Sequence, residues 1–406
     1  MAQIYEGASI LLSATWSTDA YKGCFVAPDN RFVPRMKTFT NGNNNTYEVH
    51  CHELLDNLQA PLYERGWVLQ ERTLSRRIVQ FMEQELWWEC REHFTCECGG
   101  HLDYEPALGV DLNWASSLRK SRSSKKTEAL WRHIVYIYTR KSLTYPSDIF
   151  PALQGLARLV PSSMGRYLAG HWERFFIESL CWIREEGSRG LNDWRAPSWS
   201  WASGQGAVSW PSDLPQSSSK IYPTFISAST IPMGDDPMGQ LSNGSVVLKG
   251  RCLAARVQER KVGRDFGDPF KPGELVRCLV FEGSPRSESL RRRPIPQEKP
   301  TSSRFPNRTD SRYSVIPTWD YEGPLEKEQR VVVLKLAEVR SLDQATWPRK
   351  DQFWLVLRAV NDNKDEYVRI GMLSTYSMNE NEVRMHTQKL DARYDMDATE
   401  MEIKIV

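Results

Sequence analysis

Two stretches of this chain collect residue types that can hold a metal or act as nucleophiles. Cys90, His93, Cys96, Cys98 and His101 fall in one short run, and Gly99-Gly100 would let the chain fold back on an ion. Thiolates and imidazoles are the donors zinc prefers. The spacing fits poorly, because one residue separates Cys96 from Cys98 where a zinc knuckle has two or more, and no second arm of paired cysteines follows. Glu48-Val49-His50-Cys51-His52 carries donors without partners at a defined spacing, and reads as a short strand or linker. A structural or adventitious metal is therefore the lesser reading, and no cofactor is expected. No phosphate-binding glycine loop and no Gly-x-Ser-x-Gly elbow is present, and a Cys–His pair cannot be assembled from order alone.

Charged groups also crowd the segment from Pro61 to Cys90. Arg65, Gln70, Glu71 and Arg72 stand among large apolar residues, and Glu89 follows Trp87 and Trp88. A buried charge must be paired, so the favoured reading is a structural ion-pair network, with a catalytic site as the alternative.

The elements that must position these residues are a helix and a hairpin. Leu62, Trp67, Gln70, Glu71 and Leu74 recur at three- and four-residue offsets, which predicts one helical face, and Pro61 suits its start. The period then changes: Arg77 to Phe81 and Glu85 to Cys90 are β-branched and aromatic runs separated by Met82-Glu83-Gln84, which predicts a hairpin.

Arg65-Gly66-Trp67-Val68-Leu69-Gln70-Glu71, followed by Leu74-Ser75-x-Arg77, Phe81 and Trp88-Glu89-Cys90, resembles the closing signature of the fungal heterokaryon incompatibility (HET) domain. Further phrases are similar to the region after that signature, among them Tyr138 to Thr144 with Asp148, Ala152 to Gly155, Ala169 to Trp172 and Arg195 to Ser203. The resemblance covers about half of the chain. It implies a protein of fungal non-self recognition that regulates programmed cell death, with Arg65, Trp67, Gln70 and Glu71 stabilising the domain or presenting an assembly surface. HET domains have been likened to Toll/interleukin-1-receptor (TIR) domains, some of which cleave NAD; on that alternative Glu71 is the candidate catalytic acid. A metal-stapled binding module is a third reading. Met1 to Phe25 resembles a phrase well inside the HET domain, so the chain is expected to lack that domain's N-terminal half and to be a fragment or an inactive remnant.

At 406 residues two domains are expected. Hydrophobic residues make up 40% and charged residues 26%, an ordinary globular balance, while fifteen Trp call for large aromatic cores or surfaces. A formal net charge of +2 gives no argument for nucleic acid, and the expected partner is a protein or a second copy. No apolar run approaches the roughly 20 residues of a membrane span; Ala8 to Ala14 reads as one buried strand. Eight scattered Cys and no leader pattern suggest a cytoplasmic protein with reduced thiols.

The expected fold class is α+β: the C-terminal part of a TIR-like α/β HET domain over 1–105, with a helical layer and aromatic strand over 106–210. A β-rich antiparallel module over 211–378 and a charged, unplaced tail over 379–406 complete it. Phe25 to Asn45 reads as loop, and the basic Ser116 to Lys126 run as a solvated surface loop. Helices are predicted over Thr127 to Tyr138, Ile149 to Val160 and Tyr167 to Ile183. Arg195 to Trp201 alternates like a strand whose aromatic stripe packs in a core or binds a ligand. Later strands are predicted over 221–231, 245–257, 275–282, 330–339, 352–360 and 367–374, in a sandwich or barrel, with 283–314 as a disordered insertion.

Overall fold

The structure, a computed structural model, describes residues 1–19, 21–25, 35–42, 45–51, 60–83, 85–97, 113–185, 189–191, 193–211, 220–261, 275–281, 313–315, 318–320, 329–341, 349–360, 366–374 and 380–406. It is mixed α+β and divides into two compact units, Met1–Ser162 and Ser163–Val406. The boundary cuts through the expected 106–210 region: the helices predicted over Thr127 to Tyr138 and Ile149 to Val160 fall in the first unit, and Tyr167 to Ile183 and the aromatic stretch in the second.

The first unit opens with α1 (Ala2–Gly7) and β1 (Leu11–Ser13). Leu12 is 63% exposed, so β1 is not the fully buried strand its composition suggested. β2 (Arg35–Thr40), inside the stretch read as loop, pairs as an antiparallel hairpin with β3 (Thr46–Cys51), which includes part of the Glu48 to His52 run read as a short strand or linker. The Thr and Tyr residues flanking the Asn-rich turn supply the β propensity that the period count overlooked. His50 and Cys51 fall on β3; His52 lies outside the described residues.

A 3-10 turn (Pro61–Glu64) then leads into α2 (Gly66–Leu74), β4 (Arg77–Phe81), β5 (Leu86–Cys90) and β6 (Phe94–Cys96). The sheet order is β1-β4-β5-β6, with β1 parallel to β4 and the hairpin partners antiparallel, as the change of period predicted. α3 (Trp114–Lys120) and α4 (Ser124–Tyr138) replace the expected basic loop, because Trp114, Ala115 and Leu118 form an apolar stripe beneath its charges. Ser123 caps α4, its Oγ accepting the Lys126 N–H at 3.4 Å. α5 (Pro151–Ala157) follows, and α2 packs against α1, α3 and α5.

In the second unit the helix predicted over Tyr167 to Ile183 is broken. β7 (Tyr167–Leu168) and β8 (His171–Trp172) form a tight hairpin, and a 3-10 turn (Glu173–Phe175) runs into the short helix α6 (Phe176–Ser179) before β9 (Ile183–Arg184). Ala169 and Gly170 both take positive φ, 46° and 93°, the conformation a two-residue hairpin demands. The aromatic spacing that mimics a helix serves core packing instead. β10 (Arg189–Gly190) pairs β11 (Gly204–Gln205), and β12 (Val208–Ser209) pairs β9. Arg195 to Trp201 is likewise not a strand: Ser200 Oγ accepts the Ala202 N–H at 3.1 Å and starts a 3-10 turn. Trp199 and Trp201 are nonetheless buried, which is the core-packing alternative for that stripe.

The remaining strands are β13 (Lys220–Ile221), β14 (Thr224–Pro232), β15 (Leu241–Lys261), β16 (Leu275–Phe281), β17 (Tyr313–Val315) and β18 (Thr318–Trp319). β19 (Arg330–Ser341), β20 (Arg349–Ala359) and β21 (Glu366–Ser374) precede α7 (Glu380–Asp397) and β22 (Thr399–Ile405). β15 pairs β22 along Val246–Cys252 and β19 along Cys252–Arg256, so the path β15-β19-β20-β21-β22 returns on itself as a closed barrel. Only β21 and β22 run parallel in that ring. Leu253, Val333, Trp354, Val356 and Leu373 fill the core, and Leu390 and Tyr394 of α7 join them, which places the tail. Residues 283–312 lie outside the described residues; Tyr313 and Ser314 belong to β17.

Candidate functional site

The signature residues meet around α2. Arg65 is its N-cap residue, and the Gly66 N–H donates to the Ser142 carbonyl at 2.7 Å. A Cβ on Gly66 would lie 2.6 Å from Leu143 Cδ2, so the helix approaches 142–143 closely only because the side chain is missing. Half-buried Trp67 donates its indole N–H to Asp148 Oδ2 at 2.9 Å. Buried Gln70 accepts the Gly155 N–H at its side-chain oxygen. Leu74 is buried, and Ser75 Oγ donates to the Glu71 carbonyl at 2.7 Å.

At the centre lies a buried ion pair. Arg72 donates from Nε to Glu89 Oε2 at 2.7 Å and from Nη2 to Oε1 at 2.6 Å. Gln80 adds a third bond to Glu89 Oε2 at 2.6 Å, and the Tyr63 hydroxyl donates to Gln80 Oε1. The Arg72 guanidinium lies 4.9 Å from the centroid of the Tyr63 ring, which closes a circle of contacts. Burial opposes the Arg72 charge, but Glu89 beside it more than compensates and holds the guanidinium above its ordinary range. Burial, with Glu89 nearby, also keeps the Tyr63 phenol protonated well above its usual range.

β4 and β5 explain the geometry. Ile78 and Gln80 share the inward face of one strand, Trp87 and Glu89 that of the other, and Gln80 pairs with Trp87 across the ladder. The remaining signature positions are Arg77, exposed at the start of β4; Phe81, in edge contact with Phe25 at 5.2 Å; and half-buried Trp88.

Glu71, the candidate acid, is half-buried and accepts a hydrogen bond from Tyr5. Burial, with the Glu71 charge and bond, pushes the Tyr5 phenol up to about 12. Lys141 donates to the Tyr63 carbonyl at 2.7 Å; burial, and next the Arg72 charge, bring its amine down to about 8.

Three members of the cysteine run, Cys90, His93 and Cys96, lie among the described residues. Cys90 Sγ accepts the backbone N–H of exposed His93 at 3.3 Å, while Cys96 is buried against Trp87 and Met82. Among the described residues no group of three or more His, Cys, Asp or Glu is placed to hold a metal, and Cys98 and His101 lie outside them.

Sequence reasoning missed Tyr63, Gln80 and Lys141. A glutamine at the inward parity of an apolar strand was the available signal, since such a group needs a partner. Comparison of the chain with protein-family models, with curated proteins and with solved structures finds no match.

Proposed function

We propose that this chain is a HET-type regulatory protein of fungal non-self recognition that controls programmed cell death from the cytoplasm, through a protein partner or a second copy of itself. In this reading the signature is a structural nucleus. The observation that supports it is the Arg72–Glu89 pair: the charges of the signature's helix and of its hairpin are directed at each other, with Gln80 and Tyr63 meeting the remaining demands. Among the described residues no helix is long and apolar enough to cross a membrane.

The reading is tested by fusing a fungal strain that expresses the chain with a panel of strains that lack it, and scoring dye uptake by the fused cells. Death in a subset of pairings, lost when the chain is deleted, is the expected result. Full viability in every pairing, with the protein present at normal level, would overturn it.

A further inference from the structure

The second unit contains a cavity of about 710 Å³, a volume within the range of small-molecule sites. One side is built from the neighbouring strands β14, β15, β22, β21 and β20, where residues two apart share a face, such as Asn243 with Ser245 and Glu366 with Val368. The other side is the 193–203 segment, which presents half-exposed Trp194 and Arg195. That segment closes tightly on β15: a Cβ on Gly244 would stand 2.5 Å from Pro197 Cγ. A glycine inside a strand marks such a close approach.

Four cationic side chains line the space, Arg195, Arg358, Arg369 and Lys404, against two acidic ones, Asp193 and Glu366. Lys404 is spent on Glu366 at 2.7 Å. Arg369 is held by Asp320 at 2.8 Å and by the Leu180 and Trp182 carbonyls. Arg195 donates to the Ala202 and Gly204 carbonyls, which carry no full charge. Arg358 differs: it lines the cavity, and among the described residues its guanidinium takes part in no hydrogen bond or ion pair. It follows a register shift between Val356 and Leu357, a bulge of the kind that redirects side chains beside binding sites.

From this unpaired donor in a cation-rich cavity with an indole at its rim, we infer that the second unit binds a small organic anion with a planar ring. The anionic group accepts from Arg358 and the ring lies against Trp194. The site is independent of the signature in the first unit and of the function proposed for it.

Isothermal titration calorimetry of the full chain with adenosine 5′-monophosphate and with benzoate tests the site. Saturable binding of at least one probe is expected, weakened about tenfold or more in Arg358→Gln, since bonds to a charged acceptor are the strong class. Arg358 makes no protein hydrogen bond through Nε, so this variant should melt like the parent. Arg358→Lys keeps the charge without the planar fork and should bind at an intermediate level. Absence of heat for both probes at millimolar concentration, or undiminished binding by both folded variants, would overturn the assignment.

Discussion

Arg72 and Glu89 face each other through a doubled hydrogen bond although one stands on helix α2 and the other on strand β5, each with a side chain 6% exposed. The pair fixes the angle between the helix and the hairpin. Removing one member of a buried ion pair strands the other, at a cost of about 3–5 kcal/mol, whereas an apolar replacement of both recovers much of that loss. Glu89→Met and Arg72→Met should each lower the urea midpoint sharply, and Arg72→Met/Glu89→Met should lie well above the sum of the two losses. Simple additivity would contradict the pairing.

Gly155 sits in the interior of α5, where alanine is ordinarily better by about 1 kcal/mol. Here an added Cβ would stand 2.6 Å from Ala2 Cβ and collide with the Gln70 side-chain oxygen that accepts the Gly155 N–H. Overpacking of this kind costs about 1–3 kcal/mol, so the clash outweighs the propensity gain. Gly155→Ala should destabilise in thermal melts, and part of the loss should return when Gln70→Ala is combined with it. A melting temperature above that of the parent protein would show that the contact is loose.

Lys141 has its amine lowered from 10.5 to about 8 in the folded chain. Between these values the unfolded chain holds a proton that the folded chain has released, so this group's contribution to stability rises with pH across the window and its penalty is complete below pH 8. Tyr5 acts in the opposite sense only above its ordinary value of 10. Relative to Lys141→Met, the parent protein should therefore gain about 1–2 kcal/mol between pH 7 and pH 9.5 in urea titrations. Parallel pH profiles for the two would refute the shift.

The β propensity and alternation of residues 241–261, 330–341, 349–359 and 366–374 made the strands of the second unit legible, because side chains buried on one face repeat every second position. Closure of the barrel was not legible, since it depends on β15 being long enough to pair with two partners along its length. The hairpin at Ala169-Gly170 was hidden by aromatic spacing that fits a helix equally well, and only the positive φ of two successive residues separates the cases. In the first unit, the helix and hairpin could be read from Trp67 to Cys90, and so could the need to pair their charges. Which charges pair could not, because Arg72 and Glu89 become neighbours only through the packing of α2 on the sheet. Gln80 and Tyr63 carry no motif of their own.

The claim that most needs a direct test is that death signalling follows the integrity of this nucleus and is independent of the Glu71 carboxylate. Strain fusions carrying the parent chain, Glu71→Gln or Glu89→Gln should be scored for dye uptake, with the folded fraction of each protein measured alongside. The account predicts equal killing by the parent and Glu71→Gln, and killing by Glu89→Gln reduced in proportion to its unfolding. A Glu71→Gln protein that is fully folded and harmless would contradict it and favour NAD cleavage.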